Sequence, residues 1–249
     1  MQLAHMAWPE VERRIADGAA VILPVGSTEQ HGPMGMIGTD AICATAVAER
    51  AGDEANAIVA PVLAYTPAPF NTSFAGTVSL SEPIFEAMAG EVINGLLDQG
   101  FSGVFVVNGH GANLAPLKRI AAAAGPMRIR SWWDPEDVQS RRRALYGQWE
   151  GMHATPSEVA ITQALLHSLP ADGAETPPEA LSAEYIRDHA GDRHGPPDEH
   201  RAQFPDGRVG SHSYLATPED GADLLALASA SLAQEFSAFE SECKARSRA

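Results

Sequence analysis

The sequence is poor in cysteine, with only Cys43 and Cys243, far apart in the chain. That excludes a disulfide framework and a cysteine-rich zinc motif, and reduced thiols in a cytoplasmic protein are the simplest reading. Basic residues are scarce as well: 17 Lys plus Arg face 32 Asp plus Glu, leaving a formal charge of -15. Nucleic acid demands a basic face, and an anionic membrane surface would repel this chain. No window approaches the roughly 20 apolar residues of a spanning helix. Met1 to Ala7 also lacks a basic segment followed by a long apolar stretch, so neither secretion nor membrane insertion is expected. A G-x-S-x-G elbow and a phosphate loop ending in Gly-Lys-Ser or Gly-Lys-Thr are both missing, which removes a serine nucleophile and a P-loop. Cys43 falls within a predicted helix and is expected to pack rather than react.

What remains is a chain of 249 residues, 45% hydrophobic, that suits one globular domain over 1–249. Apolar runs at 20–25, 57–63, 104–107 and 127–132 are bounded by Gly, Pro or Asn and read as buried strands. Helical patterns cover 40–50, 82–97, 114–124, 157–169 and 218–239. Strands alternating with helices predict a three-layer α/β/α fold with a mostly parallel central sheet and ligands at the carboxyl ends of the strands. Residues 171–208, rich in Pro, Gly, Asp and His, predict a long excursion with one short helix near 180–189.

Polar clusters sit at the strand ends. Glu29 and His31 follow the first strand two residues apart, which puts both side chains on one face of extended backbone. Asp40 opens the next helix, where taken alone it reads as an N-cap. His110 lies between the third strand and the helix after it, within Asn108-Gly109-His110-Gly111-Ala112-Asn113. His153 and Glu158 head a later helix, with Ser157 a candidate N-cap and Glu158 a candidate partner of the helix dipole. Each group singly is more simply a cap. Three strand-to-helix junctions that each offer imidazole with carboxylate, and no thiolate, point instead to a metal centre for zinc, manganese or iron(II).

These motifs together resemble the creatininase, or creatinine amidohydrolase, family. The residues that carry the resemblance are Pro24-Val25-Gly26-Ser27-Thr28-Glu29-Gln30-His31-Gly32-Pro33, then Gly38-Thr39-Asp40 and Asn108-Gly109-His110. Gly76-Thr77 with Ser79-Leu80, the His153 to Glu158 spacing, and the late Gly207-Arg208-Val209-Gly210 and Ala216-Thr217-Pro218-Glu219 extend it along nearly the whole chain. The resemblance implies one or two divalent ions per chain, zinc first among them. His31, Asp40 and His110 would hold one, and Glu29 with a bridging Asp40 the other. It implies Trp149 as a substrate-packing residue, Asn71 and Ser79 beside the substrate, and His153 as a catalytic residue.

The sequence departs from that family at Ala112, where creatininase has the glutamate that completes its second ion site; Glu158 is expected to take over, as ligand and catalytic carboxylate. Met34, Met36, Asn71 and Thr155 also differ, all around the expected pocket, which argues against creatinine as substrate. The implied activity is water activation on a mono- or dinuclear centre and hydrolysis of a C–N bond in a small amide or cyclic amide. His153 would protonate the leaving amine, and the amides of Gly109 to Gly111 would stabilise an oxyanion. Two other readings are a ring-opening hydrolase of a cyclic ketone or lactone such as a keto-inositol, and an inactive, metal-free binding protein of the same fold. The resemblance also implies a homo-oligomer, a hexamer, with 171–208 reaching a neighbouring subunit.

Overall fold

The four strands form one parallel sheet in the order β2–β1–β3–β4, with β1 at Val21–Val25, β2 at Ile58–Val59, β3 at Val104–Asn108 and β4 at Met127–Ser131. Val21 pairs with Val104 and Val25 with Asn108, so β1 and β3 end level, and Asn108 in turn pairs with Ser131 of β4. In this computed structural model residues 1–191 and 193–247 are described; Asp192 of the expected excursion and the last two residues of the expected 1–249 domain lie outside them.

Side chains alternate across the strands, and both faces are covered. Ile22, Phe105 and Val107 pack on one side against α2 (Thr39–Glu54) and α9 (Pro218–Ser247), through Val47, Leu224 and Phe236. Val21, Leu23, Val104 and Val106 pack on the other against α3 (Glu82–Asp98) and α4 (Leu114–Ala123), through Phe85, Ile93 and Leu117. Burial on two faces explains why these strands read as continuous apolar runs rather than alternating ones. The result is the expected three-layer α/β/α arrangement.

Phe105 anchors one layer, fully buried with its ring 5.8 Å from those of both Phe236 and Phe239. Phe105→Ala is expected to cost about 3–5 kcal/mol of stability. Denaturant unfolding checks this, and a loss below about 1 kcal/mol would mean that the site repacks without a cavity.

Several elements depart from expectation. The 57–63 strand is cut to Ile58–Val59, because Pro61 offers no N–H to continue the ladder, although Leu63 still bridges to Val25. Two helices read as nothing in the sequence: α1 (Trp8–Ala16), which buries no residue, and α5 (Glu136–Tyr146), which buries only Val138 and Tyr146. Both carry too little apolar surface to stand out. The α6 helix (Pro156–Leu165) stops short of 169, while α9 runs past 239 to Ser247. Among its described residues the excursion holds two helices rather than one, α7 (Ala183–Asp188) and α8 (Pro197–Gln203).

Candidate metal centre

The site forms where β1 and β3 end against the first turn of α2. Gly26 and Gly109 make that approach possible, since a Cβ on Gly26 would meet the Ala41 nitrogen at 2.3 Å and one on Gly109 the Asp40 carbonyl oxygen at 2.4 Å. Asp40 is thereby pressed into the centre. It is not the N-cap of α2, a position held by Gly38, because its carboxylate turns inward to His31 instead of back to the helix amides.

Six ionisable side chains, all nearly or fully buried, converge there: Glu29, His31, Asp40, His110, His153 and Glu158. Each imidazole spends one ring nitrogen on a backbone carbonyl, His31 Nδ1 on Glu29 at 3.1 Å, His110 Nε2 on Pro67 at 2.8 Å and His153 Nε2 on Gln30 at 2.7 Å. A carbonyl only accepts, so in each ring that nitrogen carries the proton. The other nitrogen faces carboxylate oxygens, lone pair against lone pair unless a proton or cation stands between them. Metal-binding histidines carry this signature.

Asp40 divides the donors. Its Oδ1 lies 2.9 Å from His31 Nε2, which is also 3.9 Å from Glu158 Oε1. Its Oδ2 lies 3.2 Å from His110 Nδ1, which is 2.9 Å from Glu29 Oε1. The donor sets Glu29–Asp40–His110 and His31–Asp40–Glu158 each fit within 4.8 Å, as does Glu29–His31–His153. These sets divide the donors differently from the grouping that the resemblance implies: His31 and His110 face opposite oxygens of Asp40 and fall in separate sets. Glu29 Oε1 and Asp40 Oδ2 are buried and, among the described residues, accept no well-aligned hydrogen bond. Three carboxylates and three imidazoles with such orphaned oxygens fit one or two divalent cations.

Without a metal, protons must fill the gap. Burial disfavours charge on His31, but Asp40 first, then Glu158, outweighs it and raises the imidazole pKa to about 10. Burial is likewise overcome at His110, where Glu29 and Asp40 raise the pKa well above the usual histidine range. Asp40 is held well below the ordinary carboxylate range despite its burial, chiefly by His31. For Glu158 burial wins and the pKa rises to about 7, while burial lowers His153 to about 3.

Glu158 caps a helix and also faces the donor cluster. Its Oε1 accepts from the Thr155 amide at 2.5 Å and closes a capping box at the start of α6, and the same oxygen faces His31. The cap of that helix is Thr155, not Ser157: Pro156 takes the first helical position, and Ser157 bonds to Glu150 instead.

Asn71 does not reach the cleft as a substrate contact. It is fully buried, donates to Glu29 Oε2 at 2.8 Å and accepts from Gln30 Nε2 at 2.8 Å, so it holds the Glu29 carboxylate in place. Ser79 accepts from the Ala68 amide at 2.9 Å and pins that loop. Trp149 sets its ring 5.9 Å from that of His212. The oxyanion expectation narrows, since the Gly109 amide is committed to Val25 and that of His110 to Asn108 Oδ1; Gly111 lines the cleft.

The cleft itself measures about 190 Å³. Beside Asp40, His110, His153 and Glu158 its wall carries Trp132, Trp133, Arg142 and Met152, none of which sequence reasoning assigned. Trp132 and Trp133 directly follow β4, at a strand's carboxyl end, which was the signal available for them. Gln30 was also missed as a structural hub; its side chain ties Asn71 to the Gly207 carbonyl.

Fold and site define an α/β protein with a candidate metal centre at the carboxyl edge of a parallel sheet. The profile of the creatininase (creatinine amidohydrolase) family matches residues 4–236, and the chain belongs to that family. It is a hydrolase of the family. Creatinine amidohydrolase of Pseudomonas putida is 27% identical over 188 residues, 67% of this chain and 72% of that protein. Mycofactocin precursor peptide peptidase of Mycolicibacterium smegmatis is 35% identical over 161 residues, 61% of this chain and 59% of that one. The 3-dehydro-scyllo-inosose hydrolase of Thermotoga maritima is 32% identical over 107 residues, 43% of this chain and 34% of that one. The fold matches the crystal structure of creatinine amidohydrolase with a TM-score of 0.77 at 23% identity, over 94% of this chain and 97% of that one. Creatininase structures of manganese and zinc–zinc type share it.

Proposed function

We propose that this chain is a dinuclear metal hydrolase that cleaves a C–N bond in a small amide or cyclic amide. The observation that carries this is the orientation of His31 and His110, each anchored to a backbone carbonyl through one ring nitrogen and each turning the other toward a different oxygen of Asp40. Glu29, Asp40 and His110 would hold one ion, and His31, Asp40 and Glu158 the other. Zinc suits the mixed nitrogen and oxygen donors, with manganese or iron(II) the alternatives. Such ions, when bound, supply acidification of water to a pKa of about 7 and polarisation of a carbonyl.

The chain's own residues do the rest. Asn71 and Gln30 fix Glu29. His153 holds its Nε2 proton on the Gln30 carbonyl, which leaves Nδ1 to take a proton and pass it to the leaving nitrogen. A leaving amine needs that proton far more than a stabilised carbanion does, which favours C–N cleavage over opening a cyclic ketone.

The test is metal analysis of protein purified without a nickel column, followed by melting with added zinc or manganese. Stoichiometric transition metal and a raised melting temperature are expected. With neither, the chain would be a metal-free binding protein.

Metal binding must also displace protons. Below its raised pKa of about 10, His31 is charged in the metal-free chain, and His110 likewise at pH 7, whereas metal needs both neutral. Glu158, with its pKa of about 7, gives up a further fraction, so calorimetry in buffers of different ionisation enthalpy should read release of about two to three protons at pH 7. Release of none would remove the imidazoles from the ligand set.

The family likeness supports a homo-oligomer, a hexamer, acting on a small molecule. Light scattering tests the assembly, and a mass near the 26.3 kDa of one chain would sink it. Among the described residues no helix is long and apolar enough to cross a membrane. Cysteine is scarce, and Cys43 and Cys243 are both buried, which suits a cytoplasmic protein.

A further inference from the structure

The cleft pairs its carboxylate and imidazole groups with an end of opposite character. Arg142, on α5, lines it with a side chain 18% exposed. Its Nε and Nη2 bond to Glu150 Oε1 at 2.9 and 2.7 Å, and Nε also reaches Ser157 Oγ at 3.2 Å; these bonds leave Nη1 unused. The guanidinium carbon lies 5.4 Å from the centre of the Trp132 ring. Trp132 is itself on the cleft wall, 1% exposed, and its indole Nε1–H is buried without a hydrogen-bond partner among the described residues. A buried N–H with no acceptor is costly and rare, and in a residue that lines the cleft an acceptor brought by a ligand would relieve it.

The two donors stand close to the reactive end. From Arg142 a hydrogen-bonded path runs to Ser157 Oγ, then to Thr155 Oγ1 at 3.1 Å, and the Thr155 amide meets Glu158 Oε1. Arg142 is the guanidinium on this wall, apart from the side chains assigned to the ions. A volume of about 190 Å³ admits a unit the size of one amino-acid residue.

We propose that the cleft takes a carboxylate-terminated amide. Its carboxylate is received by Arg142 and the Trp132 indole, and its scissile C–N bond lies at the Glu158 and His153 end. This rests on the hydrolase reading above and adds the substrate class. In the reaction the C–N bond breaks, the oxygen of water enters the new carboxylate, and the nitrogen takes the proton carried by His153. The products are one carboxylate and one amino acid, with no oxidant or second substrate. Guanidinium and indole together discriminate because a neutral terminal amide offers one acceptor where a carboxylate offers two, and loses the charge-assisted bond to arginine.

The probe pair is N-acetyl-alanine and its uncharged analogue N-acetyl-alaninamide, with binding to metal-loaded protein measured by calorimetry and hydrolysis measured in parallel. Wild type should bind the carboxylate about tenfold or more tightly than the amide, the worth of one charge-assisted bond. Arg142→Gln should abolish that preference, Arg142→Lys should restore part of it, and Trp132→Phe, which keeps the ring and removes the N–H, should weaken it. Where the acid is cleaved, Arg142→Gln should raise KM far more than it lowers kcat. Because Arg142→Gln also loosens Glu150, the Trp132→Phe arm decides if the first variant fails to fold. Equal binding of the two probes by wild type, or an unchanged preference in both variants, overturns the proposal. A metal-bearing, hydrolytic wild type without the preference leaves the hydrolase reading standing and removes this one. A preference without metal or turnover does the reverse.

Discussion

Asp40→Asn is expected to leave a folded chain that holds almost no metal and hydrolyses more than about 100-fold more slowly, exceeding the usual loss for a residue that merely orients a ligand. The reason is that both oxygens are in use, Oδ1 toward His31 at 2.9 Å and Oδ2 toward His110 at 3.2 Å. Asparagine replaces one of them with an NH₂. Whichever way it turns, one imidazole then faces a donor where an ion would need an acceptor, and the negative charge shared by two cations is gone. The same NH₂ can donate to a neutral imidazole nitrogen, so the metal-free variant should fold, but it should melt below metal-free wild type at neutral pH, where the charged His31–Asp40 pair contributes, and approach it as pH rises toward 10.

Their pH dependences should part. In metal-free wild type the folded pKa of His31, about 10, lies above its unfolded value of 6.5. The stability it contributes is complete below 6.5 and is lost as pH rises through 10. Asp40 is foremost among the charges that raise it, so the variant should show a flatter decline over that window. Metal per chain and melting curves between pH 6 and about 10 read both effects. Wild-type metal content in Asp40→Asn would remove Asp40 from the bridge.

Much of this site could be read from the chain because α/β folds gather strand ends along one edge: the end of β1 carried Glu29 with His31, the end of β3 carried His110, and the head of α6 added His153 and Glu158. The strand and helix positions followed from apolar runs between Gly and Pro, except where burial was slight, as in α1 and α5. What could not be read was orientation. Nothing in the spacing of His31, Asp40 and His110 tells which oxygen of Asp40 each ring will meet; that depends on Gly26 and Gly109 admitting the first turn of α2 at one particular angle. Asn71 looked like a substrate contact because it precedes a family motif, but only the packed loop turns its amide to Glu29. Arg142 belongs to α5, a helix that no apolar pattern announced, and Trp132 to a strand end. Their meeting in the cleft is a tertiary event.

Glu158→Gln is expected to remove one ion and keep the other, roughly halving the metal per chain if both positions fill. Glutamine is the informative replacement because a capping box accepts Gln as well as Glu, so the bond from the Thr155 amide at 2.5 Å can persist and the start of α6 stays intact. Only the charge goes, and with it the third donor beside His31 and Asp40. The Glu29–Asp40–His110 set is untouched and should retain its ion. Were Glu158 no more than a partner of the helix N-terminus, the change would cost about 0.3–1 kcal/mol of stability and leave metal content as it was. Manganese-loaded protein separates the two outcomes without reference to turnover. A pair of ions bridged by one carboxylate gives a spin-coupled spectrum, and a single remaining ion gives an isolated one. An unchanged metal ratio and an unchanged coupled spectrum in Glu158→Gln would confine Glu158 to the helix cap and leave His31 to find its partner elsewhere.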